Sequence, residues 1–398
     1  MKKLLFLSLC FLCIVACRQK QEGFTITGTL QGEAEGGKVM LQNTKVYPPV
    51  TVDSTIVKDG KFIFKGKVDS PVFYSILIDI NEPDAEQPDF RNKVLKANLY
   101  VENSDITFEG DVATLPTYYW NPDHNGKAVI KGSATQDLYE SYKESLKDVR
   151  TKIGAVREQY SKEYIIPEME GKDVTARGIE IVKQENALDK EMRDMTLKFI
   201  KDNAASVVAL DQLTYELTGM DVPYTAEQID EMLSWVEGPW AGTKQLEDLK
   251  VSAAKAKKMA IGQKFIDAEF VNPKGEKVML SSLMPKDKYV MLEFWASWCG
   301  PCRGEIPHLV KVHNKYKDFE IISISIDEKD AEWQKAMKEE GMVWKQLRNP
   351  EGFKGVIQDE YNIQGVPTCI ILDKEGRHYK TNMRGAYLDE FLLETYGK

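Results

Sequence analysis

From Phe24 to about Gly132, apolar residues recur at every second position in short runs broken by Gly, Asp and Pro. FTITGTL alternates, KVMLQN follows a Gly-Gly pair, and STIVKDGKFIFKGKV divides into two strands joined near Asp59-Gly60. In the second of these, Phe62 and Phe64 share one face while Lys61, Ile63 and Lys65 share the other. VFYSILIDI is a more continuously apolar strand, and LKANLYV with DITFEG predicts another hairpin. The pattern predicts a small antiparallel β domain over 24–134. Near Thr135 the period changes to three or four. Leu138, Tyr142, Leu146, Val149 and Ile153 mark one helical stripe, and Ile179, Val182, Leu188, Met192 and Phe199 mark a second within about 174–202. Segments at roughly 204–217 and 225–236 continue the series. Thr225, followed by Glu227 and Gln228, has the form of a helix start. The stretch 135–257 reads as a helical insert with a Lys/Glu-rich solvated side and no catalytic cluster; partner docking is its lesser reading.

After the Lys/Ala-rich segment 250–260 the pattern changes again. KFIDAEFVNPKGEKVMLSSL predicts a leading hairpin, and KYVMLEFWAS is a nearly continuous apolar strand. A helix from about Cys299 to Tyr316, strand FEIISISID, a helix over 330–339, strand TCIILDKEG and a final helix follow. Alternating strands and helices predict an α/β domain with a central sheet over 258–398. Trp333 and Trp344 are expected in its core, and His308 and His313 as surface or packing residues.

The chemistry concentrates in FWASWCGPCRGEIP, residues 294–307. A Cys-x-x-Cys pair can be half of a four-thiol zinc site, an inert disulfide or a redox couple. No second pair follows, and the motif lies where an apolar strand meets a helix. There the unpaired N–H groups of the first turn favour thiolate over thiol at Cys299. Cys302 lies one turn on and inward. A two-residue spacer lets Cys299 attack a disulfide and Cys302 resolve the mixed disulfide. Pro301 has no N–H to lose in a first turn. The redox reading is the one the position supports.

These residues resemble the thioredoxin superfamily, and more closely the membrane-tethered thiol–disulfide oxidoreductases of the bacterial envelope, cytochrome-maturation type included. The likeness covers about 261–398 and rests on the leading hairpin, the CGPC motif, the insert after the motif helix and the GVPT segment. A small β domain often precedes such modules in envelope lipoproteins. The resemblance implies Cys299 as nucleophile, Cys302 as resolving thiol and Trp298 covering one side of the pair. It implies a cis peptide at Pro367, with Val366 presenting backbone to the substrate chain, and Gly300-Pro301 as the spacer of the reducing type. It also implies a proton-shuttling acid at Glu293 and a tuning acid at Glu305. Carrying both acids departs from each parent pattern and leaves the proton route open. Cys369, two residues past Pro367, reads first as a small core residue and second as a third redox thiol.

The amino terminus changes the setting. MKKLLFLSLCFLCIVAC has a basic start and an apolar run from Leu4 to Ala16, too short for a comfortable membrane span. Its end resembles a bacterial lipoprotein processing site, which implies a signal peptide over 1–16, a lipid-modified Cys17 and a tether over 17–23. Cleavage there removes Cys10 and Cys13. If Cys17 is acylated, three thiols remain, too few for a disulfide scaffold. The chain is expected to face the periplasm as a lipoprotein of the cell envelope.

Composition narrows the rest. With 398 residues, 42% hydrophobic and 29% charged, the chain is a soluble-type globular protein of two or three domains. A formal charge of -9 gives no large basic surface for nucleic acid. The disulfide itself carries two electrons, so no cofactor is expected. Substrates would be protein thiols or disulfides, and re-reduction would come from a membrane or envelope electron donor. The spacer predicts a reductant or isomerase of protein disulfides. A thiol peroxidase is one alternative, although Ser297 does not match the usual threonine spacing. The other is a lipid-anchored binding or scaffold protein with a minor redox role.

Overall fold

The computed structural model describes residues 22–46, 48–82, 87, 89–219 and 222–397. The chain divides near Ser141 into two compact units. The segment 1–16, expected to be a signal peptide, and Cys17 lie outside the described residues. Among the described residues, no helix is long and apolar enough to cross a membrane.

The first unit is a β sandwich. Its strands are β1 (Phe24–Gln31), β2 (Lys38–Asn43), β3 (Val50–Ile56), β4 (Lys61–Gly66), β5 (Val72–Asp79), β6 (Val94–Val101), β7 (Asp105–Asp111) and β8 (Val129–Lys131). They form two sheets, ordered β4-β1-β7-β8 and β3-β2-β5-β6. Alternation gives each sheet one apolar face, and the two faces close on each other. Ile26, Phe62, Phe64, Ile106 and Phe108 meet Val39, Leu41, Ile76, Ile78, Leu95 and Leu99 in one core. Phe62 and Phe64 are buried while Ile63 is 52% exposed, as the two-residue period predicts.

The pairing differs from simple hairpins. β3 and β4 meet only through a tight turn at Asp59-Gly60, both at positive φ, and then join different sheets. β6 and β7 likewise separate, and β7 pairs with β1 in parallel; every other pair in this unit is antiparallel. Burying two apolar faces requires the chain to cross between sheets, and short turns at 57–60 and 102–104 do this. Helix α1 (Ala134–Ser145) follows, and Gln136 Oε1 caps the edge by accepting the Tyr100 N–H at 2.8 Å.

The second unit begins with helices α2 (Lys147–Tyr160), α3 (Ile166–Met169), α4 (Thr175–Asp202), α5 (Val207–Thr218), α6 (Ala226–Glu237) and α7 (Lys244–Lys258). A π-turn at Ser161–Ile165 links α2 to α3. Thr225 and Gln228 form the reciprocal capping pair expected at the start of α6. The Lys/Ala-rich segment belongs to α7, whose buried stripe is Leu246, Leu249, Ala253 and Ala256.

A seven-stranded sheet follows, ordered β10-β9-β13-β12-β11-β14-β15. Its members are β9 (Glu269–Val271), β10 (Lys277–Met279), β11 (Tyr289–Trp295), β12 (Phe319–Ser325), β13 (Lys345–Arg348), β14 (Thr368–Leu372) and β15 (His378–Thr381). β9 and β10 are the predicted leading hairpin. Strands β11, β12 and β13 run parallel, and β14 returns antiparallel to β11. Helices α8 (Gly300–Lys315), α9 (Asp330–Glu339) and α10 (Ala386–Tyr396) complete a thioredoxin-like α/β domain. The central strands are apolar on both faces because helices cover both sides. Trp333 and Trp344 lie in that core.

Candidate active site

β11 delivers the chain to the helix start. Cys299 is the N-cap of α8, with extended backbone, and its Sγ accepts the Cys302 N–H at 3.2 Å. The cap thus places a sulfur where helix N–H groups converge, and the helix field there favours negative charge. Cys299 and Cys302 form a disulfide, with Cα atoms 5.3 Å apart. Cys299 is 5% exposed and Cys302 fully buried, so one sulfur is outer and the other inner. Gly300 and Pro301 form the first turn of α8, and Trp298 is 62% exposed beside the motif. The Val366-Pro367 peptide bond is cis.

The loop before the pair is held by an acid that sequence reading did not single out. Asp327, buried just after β12, accepts the Ser297 N–H at 2.9 Å and the Ser297 hydroxyl at 2.6 Å. Ser325 donates to the same carboxylate at 2.6 Å. Ser297 is therefore an anchor for the motif loop, and its hydroxyl is committed to Asp327 rather than free to polarise a peroxide. An acid at the carboxyl end of a core strand was the available signal.

Glu293 lies in the centre of β11, only 1% exposed. Register places it between Ser323 on β12 and Cys369 on β14, so the three side chains share one face. Ser323 Oγ donates to Glu293 Oε2 at 2.5 Å and itself accepts from Trp344 Nε1 at 2.8 Å. Burial pushes the Glu293 carboxyl up to about 7, opposed by the Ser323 bond and reinforced by the charge of Glu305. Glu293 is therefore not on an exposed face of the strand. Cys369 is buried, and burial, with Glu293 and Glu305 nearby, pushes its thiol well up, so it is protonated and packed.

Glu305 lies on α8, one turn past Cys302. It does not point freely to solvent: Oε1 accepts the Gly385 N–H at 2.8 Å and lies 2.9 Å from His308 Nδ1. His308 is a correction to the sequence reading. It is buried between two carboxylates, with Nε2 3.0 Å from Asp389 on α10. Its partner Asp389 lies 81 residues away along the chain, so only its position one turn after Glu305 was visible beforehand. His313, by contrast, packs its ring 5.6 Å from that of Trp344. Among the described residues, no group of three or more His, Cys, Asp or Glu side chains is arranged to hold a metal ion.

Comparison with known proteins agrees with this geometry. Residues 287–378 match a family model described as thioredoxin-like, and residues 24–139 match a domain of unknown function. Thiol-disulfide oxidoreductase ResA of Bacillus thuringiensis is 32% identical over 31% of this chain and 70% of its own length. The protein of that name from Bacillus cereus is 30% identical over 35% of this chain and 80% of its own. A solved thioredoxin domain of a thiol-disulfide oxidoreductase from Bacteroides vulgatus is 30% identical, covering 35% of this chain and 99% of that one, with a TM-score of 0.32.

Proposed function

Since the chain belongs to the thioredoxin-like thiol–disulfide oxidoreductases that include ResA, and works through its Cys299–Cys302 disulfide, we propose that it reduces or isomerises protein disulfides in the bacterial envelope. The observation that carries the direction is the Gly300-Pro301 spacer in the first turn of α8, behind an outer Cys299 and an inner Cys302.

In the reduced protein the Cys299 thiolate attacks a substrate disulfide. A mixed disulfide forms and one substrate thiolate leaves. Cys302 gives its proton to the Glu293 carboxylate and attacks the Cys299 sulfur. The second substrate thiolate leaves and takes up a proton, and the Cys299–Cys302 disulfide is restored. Two electrons pass to the substrate, and an envelope electron donor returns them. Glu293 suits the proton step because a group titrating near 7 can both take and give a proton at neutral pH. Trp298 and the cis Val366-Pro367 segment would flank the incoming chain, Val366 through its backbone.

We assign Cys17 as the lipid anchor, exposed by cleavage after Ala16, which places the two units on a membrane facing the periplasm. The cytochrome-maturation resemblance makes apocytochrome thiols the first specific substrate to try. Peroxide is disfavoured as the main substrate because the Ser297 hydroxyl is already bonded.

The decisive experiment is insulin reduction. The reduced wild type should accelerate it, Cys299→Ser should abolish it, and Cys302→Ser should accumulate mixed disulfides. Full activity in Cys299→Ser would overturn the mechanism. Lipid labelling tests the anchor: Cys17→Ala should leave unprocessed precursor, and a mature unlipidated form beginning elsewhere would overturn it.

A further inference from the structure

α8 carries a second buried arrangement that thiol exchange does not consume. His308 Nδ1 lies 2.9 Å from Glu305 Oε1, and His308 Nε2 lies 3.0 Å from Asp389 Oδ1. The three side chains are only 10%, 18% and 12% exposed. A neutral imidazole has one N–H and one lone pair, so it can donate to only one of two flanking carboxylates. The imidazolium donates to both. Burial opposes that charge, but hydrogen bonds to Asp389 and Glu305, with their charges, outweigh it and push the ring up to about 10.

The surroundings hold the arrangement on the side of the helical segment. Gly385 N–H binds Glu305 at the turn into α10, and the next N–H, of Ala386, donates to the Tyr160 hydroxyl at 3.3 Å. Tyr160 stacks on Tyr164 at 4.9 Å, and Tyr164, Val182 of α4 and Ala386 share a small apolar cluster. The helical segment therefore packs directly on the turn that carries the Glu305 and Asp389 contacts. A cleft of about 350 Å³ opens beside His308. Besides His308 and Asp389 themselves, its charged lining is Glu168 and Lys311, paired at 3.0 Å, with Lys172, Asp173 and Lys315 around them. On the sheet side lies Glu293, whose proton affinity Glu305 raises. The tyrosine hydroxyls of the segment stay neutral, since burial pushes both upward.

We propose that Glu305, His308 and Asp389 form a standing carboxylate–imidazolium–carboxylate row, buttressed by the helical segment, in which His308 is a positioning residue that holds the Glu305 carboxylate in place by a hydrogen bond. Glu305 then supplies a fixed charge near the redox pair and does not compete as a proton carrier, which leaves that task to Glu293. This answers the proton route left open by the presence of two acids. It rests on the reading of the Cys299–Cys302 couple as the exchange centre.

The test has an arm that needs no activity. The full chain, labelled with ¹⁵N at its four histidines, is titrated from pH 5.5 to 8.5. The His308 signal, identified by its loss in His308→Gln, should show both ring nitrogens protonated throughout. A ring that loses a proton near pH 6.5 would overturn the proposal whether or not the protein reduces insulin. In Asp389→Asn, titrated beside the wild type on to pH 10.5, the same ring should have its midpoint lowered by at least about one pH unit, about tenfold in proton affinity. The second arm follows the resolving step by rapid mixing across pH 5.5–9. The wild type should show a single inflection from Glu293. Folded His308→Gln should show a profile displaced from this one, because the Glu305 carboxylate loses the partner that holds it in place. Superimposable profiles would overturn the positioning role, and the wild-type titration still decides the charge state if that variant does not fold.

Discussion

Replacing Glu293 by Gln keeps size and polarity and removes one ionisation from the centre of the sheet. In the native protein the carboxyl is buried and pushed from 4.5 up to about 7; in the unfolded chain it returns to its ordinary value. Between those values the native state holds a proton that the unfolded state has released, so stability falls as pH rises. The contribution is complete below about 4.5 and lost as pH passes through about 7. At 1.36 kcal/mol per pH unit, the interval corresponds to about 3 kcal/mol. Domains are typically stable by only about 5–15 kcal/mol, so the loss is large enough to measure. Urea unfolding of the oxidised protein, followed by tryptophan fluorescence at pH 4.5, 6, 7 and 8, gives the comparison. Wild type should lose about 3 kcal/mol relative to Glu293→Gln across that range. Parallel stability curves would show that Glu293 is not held protonated by burial, and the assignment of the proton step would fall with it. In the reduced protein the same variant should slow resolution near pH 7 more than it slows the first attack by Cys299.

Other outcomes follow from single contacts. The His308 ring, raised from 6.5 to about 10, stabilises fully below 6.5 and loses this as pH rises through about 10; wild type should lose stability over that window more steeply than His308→Gln in the same urea assay. A Cβ at Gly178 of α4 would sit 2.3 Å from the Tyr164 ring and 2.7 Å from Ala386 Cβ, so Gly178→Leu should lower the melting temperature through overpacking of about 1–3 kcal/mol. Gly28→Val drives a side chain into the Phe62 ring, 2.1 Å from the added Cβ, and should destabilise the β unit by a similar amount, read as loss of its protection from proteolysis. Trp298→Ala, at a side chain 62% exposed, should change stability by no more than about 0.5 kcal/mol while slowing reduction of protein disulfides more than of a small dithiol-exchange substrate.

Short-range features were legible from the chain alone. The alternation through Phe62 and Phe64, the Thr225–Gln228 cap and the CGPC motif at the end of an apolar strand are each encoded within a few residues, because strand faces, helix caps and helix starts are local geometry. α7 was less visible because half of its buried stripe is alanine, which gives a weak contrast with its polar neighbours. Strand pairing was decided by the tertiary structure. Adjacent β3 and β4 joined different sheets, and distant β1 and β7 paired in parallel, because two apolar faces must close on each other and local alternation does not name the partner. Glu293 could be placed in a strand, but its burial depended on Ser323, Cys369 and the covering helix. The charge of His308 depended on Asp389 and on the turn at Gly385, both supplied by the far end of the chain. A residue's own sequence neighbourhood sets its backbone; its protonation state is set by whichever groups folding brings within hydrogen-bonding distance and by how much water they exclude.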